Sequence, residues 1–207
     1  MHPYPDIPNR NVPTDAAIAA TLGISELRLV SDYLRNEDGS RRGLLRANSI
    51  WTLKVEPTFY HTWVVGICSA EGREFRTKSV PGWIRGFVAF GDRVIVKELE
   101  ADPLLSTITQ IPLAVAERIV CLDGVGHELK IQSGGLECLL KFAYAPTEVL
   151  GSVVRICNEV ANSIAKQTGH ESLTELIDAT RRAKYEEWCR TKRIVVLDAT
   201  RSDVEFL

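Results

Sequence analysis

The segment HELKIQSGGLECLLKF, residues 127–142, indicates the type of fold. Apolar and polar residues alternate on both sides of its centre, which is the period of a strand with one buried face. A glycine pair between two such runs favours the tight connection of a β-hairpin. We therefore predict strands over 127–132 and 136–142, hinged at 133–135, with five residues facing inward: Leu129, Ile131, Cys138, Leu140 and Phe142.

The period becomes helical directly after this hairpin. Between Thr147 and Gln167 one helical face collects the apolar residues Val149, Val153, Ile156, Cys157, Val160, Ala161 and Ile164. Such an amphipathic helix is expected to pack across the sheet and to end at Gly169. A last helix is predicted to begin at the capping box that opens with Ser172 and to run toward Arg190.

Alternating segments upstream of the hairpin predict further strands over residues 50–55, 60–69, 73–80, 84–90 and 93–99. Turns are expected at 70–72 and at Gly91-Asp92. A first helix over 16–22 is predicted between the N-cap Thr14 and Gly23, followed by a second from Ser25 to Leu34. We also predict a helix over 112–122 and a short strand over 194–197.

Hairpins interrupted by helices, without strict alternation of strand and helix, favour an α+β fold. We predict a mainly antiparallel sheet packed against an amphipathic helix, with a helical C-terminal extension. Residues 1–13 are interpreted as an extended lead-in, 14–170 as the core domain, and 171–207 as a C-terminal helix, short strand and tail.

The composition excludes several classes of protein. Of the 207 residues, 45% are hydrophobic and 25% charged, which is typical of a globular chain. The net charge of −2 offers no general attraction to nucleic acids or anionic membranes. No apolar run reaches the roughly twenty residues that a membrane span needs. The first residues are rich in proline and do not resemble a secretory signal, so we expect a cytoplasmic protein.

Motifs for metal or cofactor binding are not found. The five cysteines include no Cys-x-x-Cys pair, and the four histidines include no helical ligand pair. Neither standard glycine-rich phosphate loop occurs. We therefore expect no metal and no cofactor. The neighbourhood of Cys121, Asp123 and His127 suggests a nucleophile with a base, but a thiol at a helix C-terminus has a raised pKa, which favours a structural role.

Two surfaces are candidates for contact with a ligand or partner. Aromatic residues lie in or near neighbouring predicted strands: Trp51, Trp63 and Trp83. On the last helix, basic and aromatic residues share one sector: Arg181, Arg182, Tyr185, Lys192 and Arg193, with Trp188 nearby. The alternative for the first set is ordinary core packing, and for the second a solvated helix face.

These observations favour a non-catalytic intracellular binding or accessory protein that acts through contacts with a protein partner or with itself. One alternative is an enzyme whose site assembles from the dispersed residues His61, His127 and Asp123. Another is a carrier with a small-ligand pocket between the sheet and the helix over 147–166. Nucleic-acid binding through the basic sector is less favoured, and no membrane partner is expected.

Overall fold

The computed structural model describes residues 11–57, 61–75, 80–104, 115–116, 125–133, 136–143, 148–182 and 194–195. Its strands are β1 (Ser31–Arg35), β2 (Arg41–Pro57), β3 (Trp63–Glu74), β4 (Val80–Phe90), β5 (Arg93–Leu99), β6 (Val115–Ala116), β7 (Val125–Ser133), β8 (Leu136–Ala143) and β9 (Ile194–Val195). The described helices are α1 (Asp15–Leu22), α2 (Glu148–Thr168) and α3 (Glu171–Arg182).

Seven strands form one antiparallel sheet in the order β5-β4-β3-β2-β7-β8, with β1 also paired to β2. The short strands β6 and β9 pair separately. The prediction of an α+β fold with a mainly antiparallel sheet is confirmed. So are the hairpin of β7 and β8 and the turn between β4 and β5.

Strand β2 organises the sheet. It is 17 residues long and pairs with β3 along one side. Along the other side it pairs first with β1 and then with β7. Because β2 links the N-terminal strands to the late hairpin, residues far apart in sequence become neighbours, as in the pairing of Ile50 with Gln132.

Helices α2 and α3 cover one face of the sheet, called here the α2 face. The apolar stripe of α2 packs there in a single buried cluster with Trp51, Trp63, Leu129 and Phe142. This confirms the amphipathic helix and its packing across the sheet. Gly169 adopts φ 68°, the left-handed conformation of a helix end, and confirms the predicted stop.

Helix α1 packs on the opposite face, called here the α1 face. Thr14 Oγ1 accepts a hydrogen bond from the Ala17 backbone N–H at 3.3 Å, and Gly23 ends the helix with φ 81°. Both predicted caps are confirmed. The buried residues Ile18 and Leu22 share a cluster with Cys68 and other α1-face residues.

The predicted helix over Ser25–Leu34 is wrong. The chain bends after Gly23 and enters β1, which pairs with the first part of β2. The Ser25 backbone N–H donates to Asp32 Oδ2 at 2.9 Å and holds the bend. The helical spacing was fortuitous, because Leu27 is buried in the α1-face cluster whereas Tyr33 is exposed on β1.

The turn predicted at 70–72 is also wrong. Strand β3 continues to Glu74, and β4 begins at Val80. Gly72 pairs with Leu45 on one side and with Val80 on the other, so the long strand β2 keeps this segment extended. The helix predicted over 112–122 is contradicted at 115–116, which form β6; its remaining residues lie outside the described part of the chain. The strand predicted over 194–197 is confirmed at 194–195.

The C-terminal extension joins the core over its described part. Leu173 and Ile177 of α3 belong to the same buried cluster as α2. The indole Nε1 of Trp63 donates to Thr180 Oγ1 at 3.3 Å. Residues 171–182 therefore pack on the main domain, and α3 contributes to its stability.

Gly66 provides a test of the packing on the α1 face. A Cβ at this position would lie 2.6 Å from Phe87 Cζ and would also meet the carbonyl oxygen of Trp51. Because Phe87 is fully buried, we expect Gly66→Ala to lower the free energy of unfolding by about 1–3 kcal/mol. Urea unfolding measures this value. The matched control is Gly126→Ala, whose Cβ would meet nothing closer than 3.7 Å; equal losses in both variants would contradict the packing.

Candidate functional site

A cleft of about 540 Å³ opens on the α1 face. Strands β2, β7 and β8 form the floor of the cleft. The chain that leads into α1 and α1 itself form its wall. On the same face, α1 shares a buried cluster with residues of β2, β3 and β4. The cleft is within the size range of small-ligand sites in proteins.

The floor is a regular grid of side chains, since paired residues of antiparallel strands point to the same face. The register aligns three rows across β2, β7 and β8: Ile50, Gln132 and Glu137; Thr52, Lys130 and Leu139; Lys54, Glu128 and Lys141. All except Lys141 line the cleft. The grid therefore combines apolar residues, charges of both signs and one amide.

Most charges of the grid are paired. Lys54 Nζ lies 2.6 Å from Glu56 Oε1, and Lys141 Nζ lies 3.1 Å from Glu128 Oε2. These ion pairs are partly exposed and contribute little to stability. Lys130 is half-buried and makes no ion pair with any residue that the structure describes.

Gln132 is the unusual member of the grid. Its side chain is 8% exposed, and its Nε2 donates to Glu137 Oε1 at 2.7 Å. Its Oε1 is buried and accepts no hydrogen bond from the described residues. Buried polar atoms are normally hydrogen-bonded, so an acceptor without a partner among the described residues is unusual.

The outer edge of β8 borders the cleft. No described strand pairs with this edge. Ser133 of β7 pairs with Leu136 of β8 across a two-residue connection, and such a turn joins its closing residues by a hydrogen bond. Because backbone groups alternate in direction along a strand, those of Glu137, Leu139 and Lys141 face outward. The side chain of Leu139 is 51% exposed, which is unusual for a large apolar residue.

Of the aromatic residues predicted to form a ligand or partner surface, two lie in the core. Trp51 and Trp63 are 1% and 0% exposed and belong to the α2-face core, so their prediction needs correction in favour of core packing. Trp83 is half-buried on the other face, where the guanidinium of Arg85 lies 4.3 Å from its ring centroid. The indole rings suit the core because their N–H groups find partners, as that of Trp51 does with Asp102.

The dispersed residues of the enzyme hypothesis are only partly brought together. Val55 of β2 pairs with His127 of β7 on one side and with Trp63 of β3 on the other. His61 precedes Trp63 by two residues, so His61 and His127 lie near the same end of the sheet. His127 is buried and stacked on Phe142, whereas His61 is exposed. Burial lowers the pKa of His127 to about 3, despite hydrogen bonds with the backbone of Val125 and Phe142. Its imidazole is therefore neutral near pH 7 and poorly suited to proton transfer. Asp123 lies outside the described residues.

The described cysteines are not activated nucleophiles. Burial raises the pKa of Cys68 to about 12, although Arg85 opposes the shift. It also raises the pKa of Cys138 and Cys157, with the charge of Asp102 adding to the effect at Cys157. All three are therefore thiols near neutral pH. Within the described ranges no group of three His, Cys, Asp or Glu side chains is placed to hold a metal.

The carrier hypothesis placed its pocket between the sheet and the helix that is α2 in the structure. Between the sheet and α2 lies a packed apolar core, while the cleft opens on the α1 face. Of the basic sector, Arg181 and Arg182 are the last two residues of α3, and their side chains lie outside what the structure describes. Tyr185, Trp188, Lys192 and Arg193 lie outside the described residues altogether.

The candidate site is thus the α1-face cleft together with the outer edge of β8, and its residues Lys130, Gln132, Glu137 and Leu139 were missed by sequence reasoning. As polar or isolated apolar positions of a half-exposed hairpin, they resemble ordinary solvent-facing residues. None of the helices in the described part is long and apolar enough to cross a membrane. Comparison with known proteins finds no matching family model, no matching curated protein and no matching solved structure.

Proposed function

We propose that this chain is a non-catalytic binding or accessory protein that acts through protein–protein contacts, and that its partner at the β8 edge is a second copy of itself. An open sheet edge presents unpaired backbone N–H and C=O groups to another strand. Pairing of the two β8 edges would join two seven-stranded sheets into one. The observation that carries the proposal is the self-complementary order of Glu137, Leu139 and Lys141 on this edge.

The order matters because an antiparallel pair of identical strands is related by a two-fold axis. With the axis at Leu139, each Leu139 lies opposite its own copy. Glu137 then lies opposite Lys141 of the second copy, twice in the dimer. Opposite charges and apolar contacts at facing positions stabilise strand pairs, whereas like charges destabilise them. The exposed Leu139 side chains would bury each other.

We also propose that the protein works in the cytoplasm. Cys68, Cys138 and Cys157 are free thiols in the described structure. Free cysteines are typical of compartments that keep thiols reduced. A binding role is supported further by the state of the candidate catalytic groups, because the described thiols are protonated and His127 is neutral near pH 7.

Sedimentation velocity over a concentration series tests the proposal with the full chain. The native protein is expected to shift from monomer to dimer as its concentration rises. Lys141→Glu would place two glutamates opposite each other at both ends of the interface, so we expect dimerisation to weaken by at least about tenfold, or ~1.4 kcal/mol. The double variant Glu137→Lys/Lys141→Glu restores opposite charges and should recover most of the affinity.

Lys166→Glu is the matched control, since it makes the same charge change on the exposed part of α2. Thermal unfolding of dilute samples checks that each variant is folded. A native protein that stays monomeric at high concentration would overturn the proposal. Equal weakening of the dimer by Lys141→Glu and by Lys166→Glu would also overturn the proposal.

A further inference from the structure

We infer that the α1-face cleft binds a small amphipathic acid that also carries an N–H donor, of the chemical class of N-acylated apolar amino acids. The cleft is lined by residues of one chain. The cleft needs no second copy to form, but Glu137 and Leu139 belong both to it and to the β8 edge, so the inference is tested at Lys130 and Gln132 of β7.

The orientation of the Gln132 amide supports this inference. The carboxylate of Glu137 can only accept hydrogen bonds, so the amino group of Gln132 must face it at 2.7 Å. This fixes the carbonyl oxygen Oε1 as the free end of the amide. Gln132 is more than nine-tenths buried and lines the cleft. A ligand N–H that donates to Oε1 would satisfy an acceptor that the described part of the chain leaves without a partner.

The positive charge of Lys130 also supports this inference. Lys130 is two residues from Gln132 on β7, so both side chains point to the same face about 7 Å apart at the backbone. Lys130 lines the cleft and has no ion-pair partner among the described residues. By contrast, Lys54 is paired with Glu56. Lys130 is therefore suited to bind the carboxylate of a ligand whose N–H donates to Gln132 Oε1.

The apolar part of the cleft indicates that the ligand has apolar groups. Five aliphatic residues also line the cleft: Ile18, Leu27, Ile50, Val64 and Leu139. A volume of about 540 Å³ leaves room for an apolar side chain and an acyl group. An N-acylated apolar amino acid presents an amide N–H, a carboxylate and apolar groups within this space, and thus matches Gln132, Lys130 and the aliphatic lining of the cleft.

The test uses two defined probes with the full-length protein. Anilinonaphthalene sulfonate combines an N–H, an anionic group and apolar rings, and it fluoresces in apolar surroundings. We expect the folded protein to enhance its fluorescence and N-acetyl-leucine to displace it. N-acetyl-leucine amide lacks the carboxylate and should displace it at least about fivefold more weakly, because it cannot form the charged contact with Lys130.

Two variants locate the binding. Gln132→Leu removes the buried acceptor and Lys130→Met removes the charge, and each is expected to weaken N-acetyl-leucine about tenfold. Lys166→Ala, a lysine on α2 far from the cleft wall, is the control and should bind like the native chain. Thermal unfolding verifies that the variants are folded. No binding by the native protein would overturn the inference, as would equal affinities in the native protein and both cleft variants.

Discussion

Replacing Trp63 with alanine is expected to lower the free energy of unfolding by about 3–5 kcal/mol. The side chain is completely buried at the start of β3, where the sheet meets α2 and α3. Alanine would leave a large cavity, and it would also remove the hydrogen bond from the indole to Thr180 Oγ1. Because that bond links the sheet to α3, the substitution tests whether the C-terminal helix belongs to the core.

Chemical denaturation followed by circular dichroism measures the loss. Trp83→Ala is the matched control, since this tryptophan is only half-buried, and its loss should be smaller by at least about 1 kcal/mol. Thr180→Val separates the hydrogen bond from the cavity and is expected to cost about 1 kcal/mol. If Trp63→Ala and Trp83→Ala lowered the free energy of unfolding equally, this would contradict the placement of Trp63 in the core beneath α3.

Acidification is expected to destabilise the protein through His127 by about 2–3 kcal/mol between pH 7 and pH 4.5. Burial lowers the pKa of this imidazole from 6.5 to about 3 in the folded state. The unfolded chain therefore binds a proton below pH 6.5 that the folded chain does not bind. The stabilisation is complete above pH 6.5 and decreases steadily as the pH falls toward 3.

The His127→Phe variant isolates this contribution. It keeps an aromatic ring against Phe142 and cannot titrate. The free energy of unfolding of both proteins is measured from pH 7 to pH 4.5. Over this range the native protein should lose about 2–3 kcal/mol more than the variant. Parallel pH curves for the two proteins would show that His127 titrates normally in the folded state and would contradict its burial.

The elements that sequence patterns predicted well are those stabilised by local signals. The hairpin over 127–142 has a glycine pair between two alternating runs, and α2 has an uninterrupted apolar stripe and a glycine at its end. Helix α1 has both caps in its sequence. Each of these signals lies within about twenty residues, so tertiary contacts reinforce the local preference.

The errors arose where a distant strand overrides local preference. Residues 31–35 have helical spacing, but the first part of β2 offers them a partner as β1. Gly72 resembles a turn residue, but it pairs with both β2 and β4, next to a register shift between Ala70 and Gly72 on the β4 side. The length of β2 determines both outcomes, and no short window of sequence reveals it.

The candidate site could not be predicted for the same reason. Its grid depends on the pairing of Ile50 with Gln132, which are remote in sequence. Gln132 alternates with apolar residues and so resembles a solvent-facing position. It is nevertheless buried, and the free carbonyl oxygen becomes visible only when Glu137 is placed opposite its amino group.

Amide hydrogen exchange resolved by residue, at concentrations well above and well below the dimerisation constant, tests self-association through β8 most directly. In a dimer joined through β8, the exchange of the Glu137, Leu139 and Lys141 amides is expected to slow by at least about tenfold at high concentration, because each amide then donates to the second copy. The amides of Cys138 and Leu140 already face β7 and should change little. If Glu137, Leu139 and Lys141 exchange equally fast at both concentrations, β8 is not the contact surface.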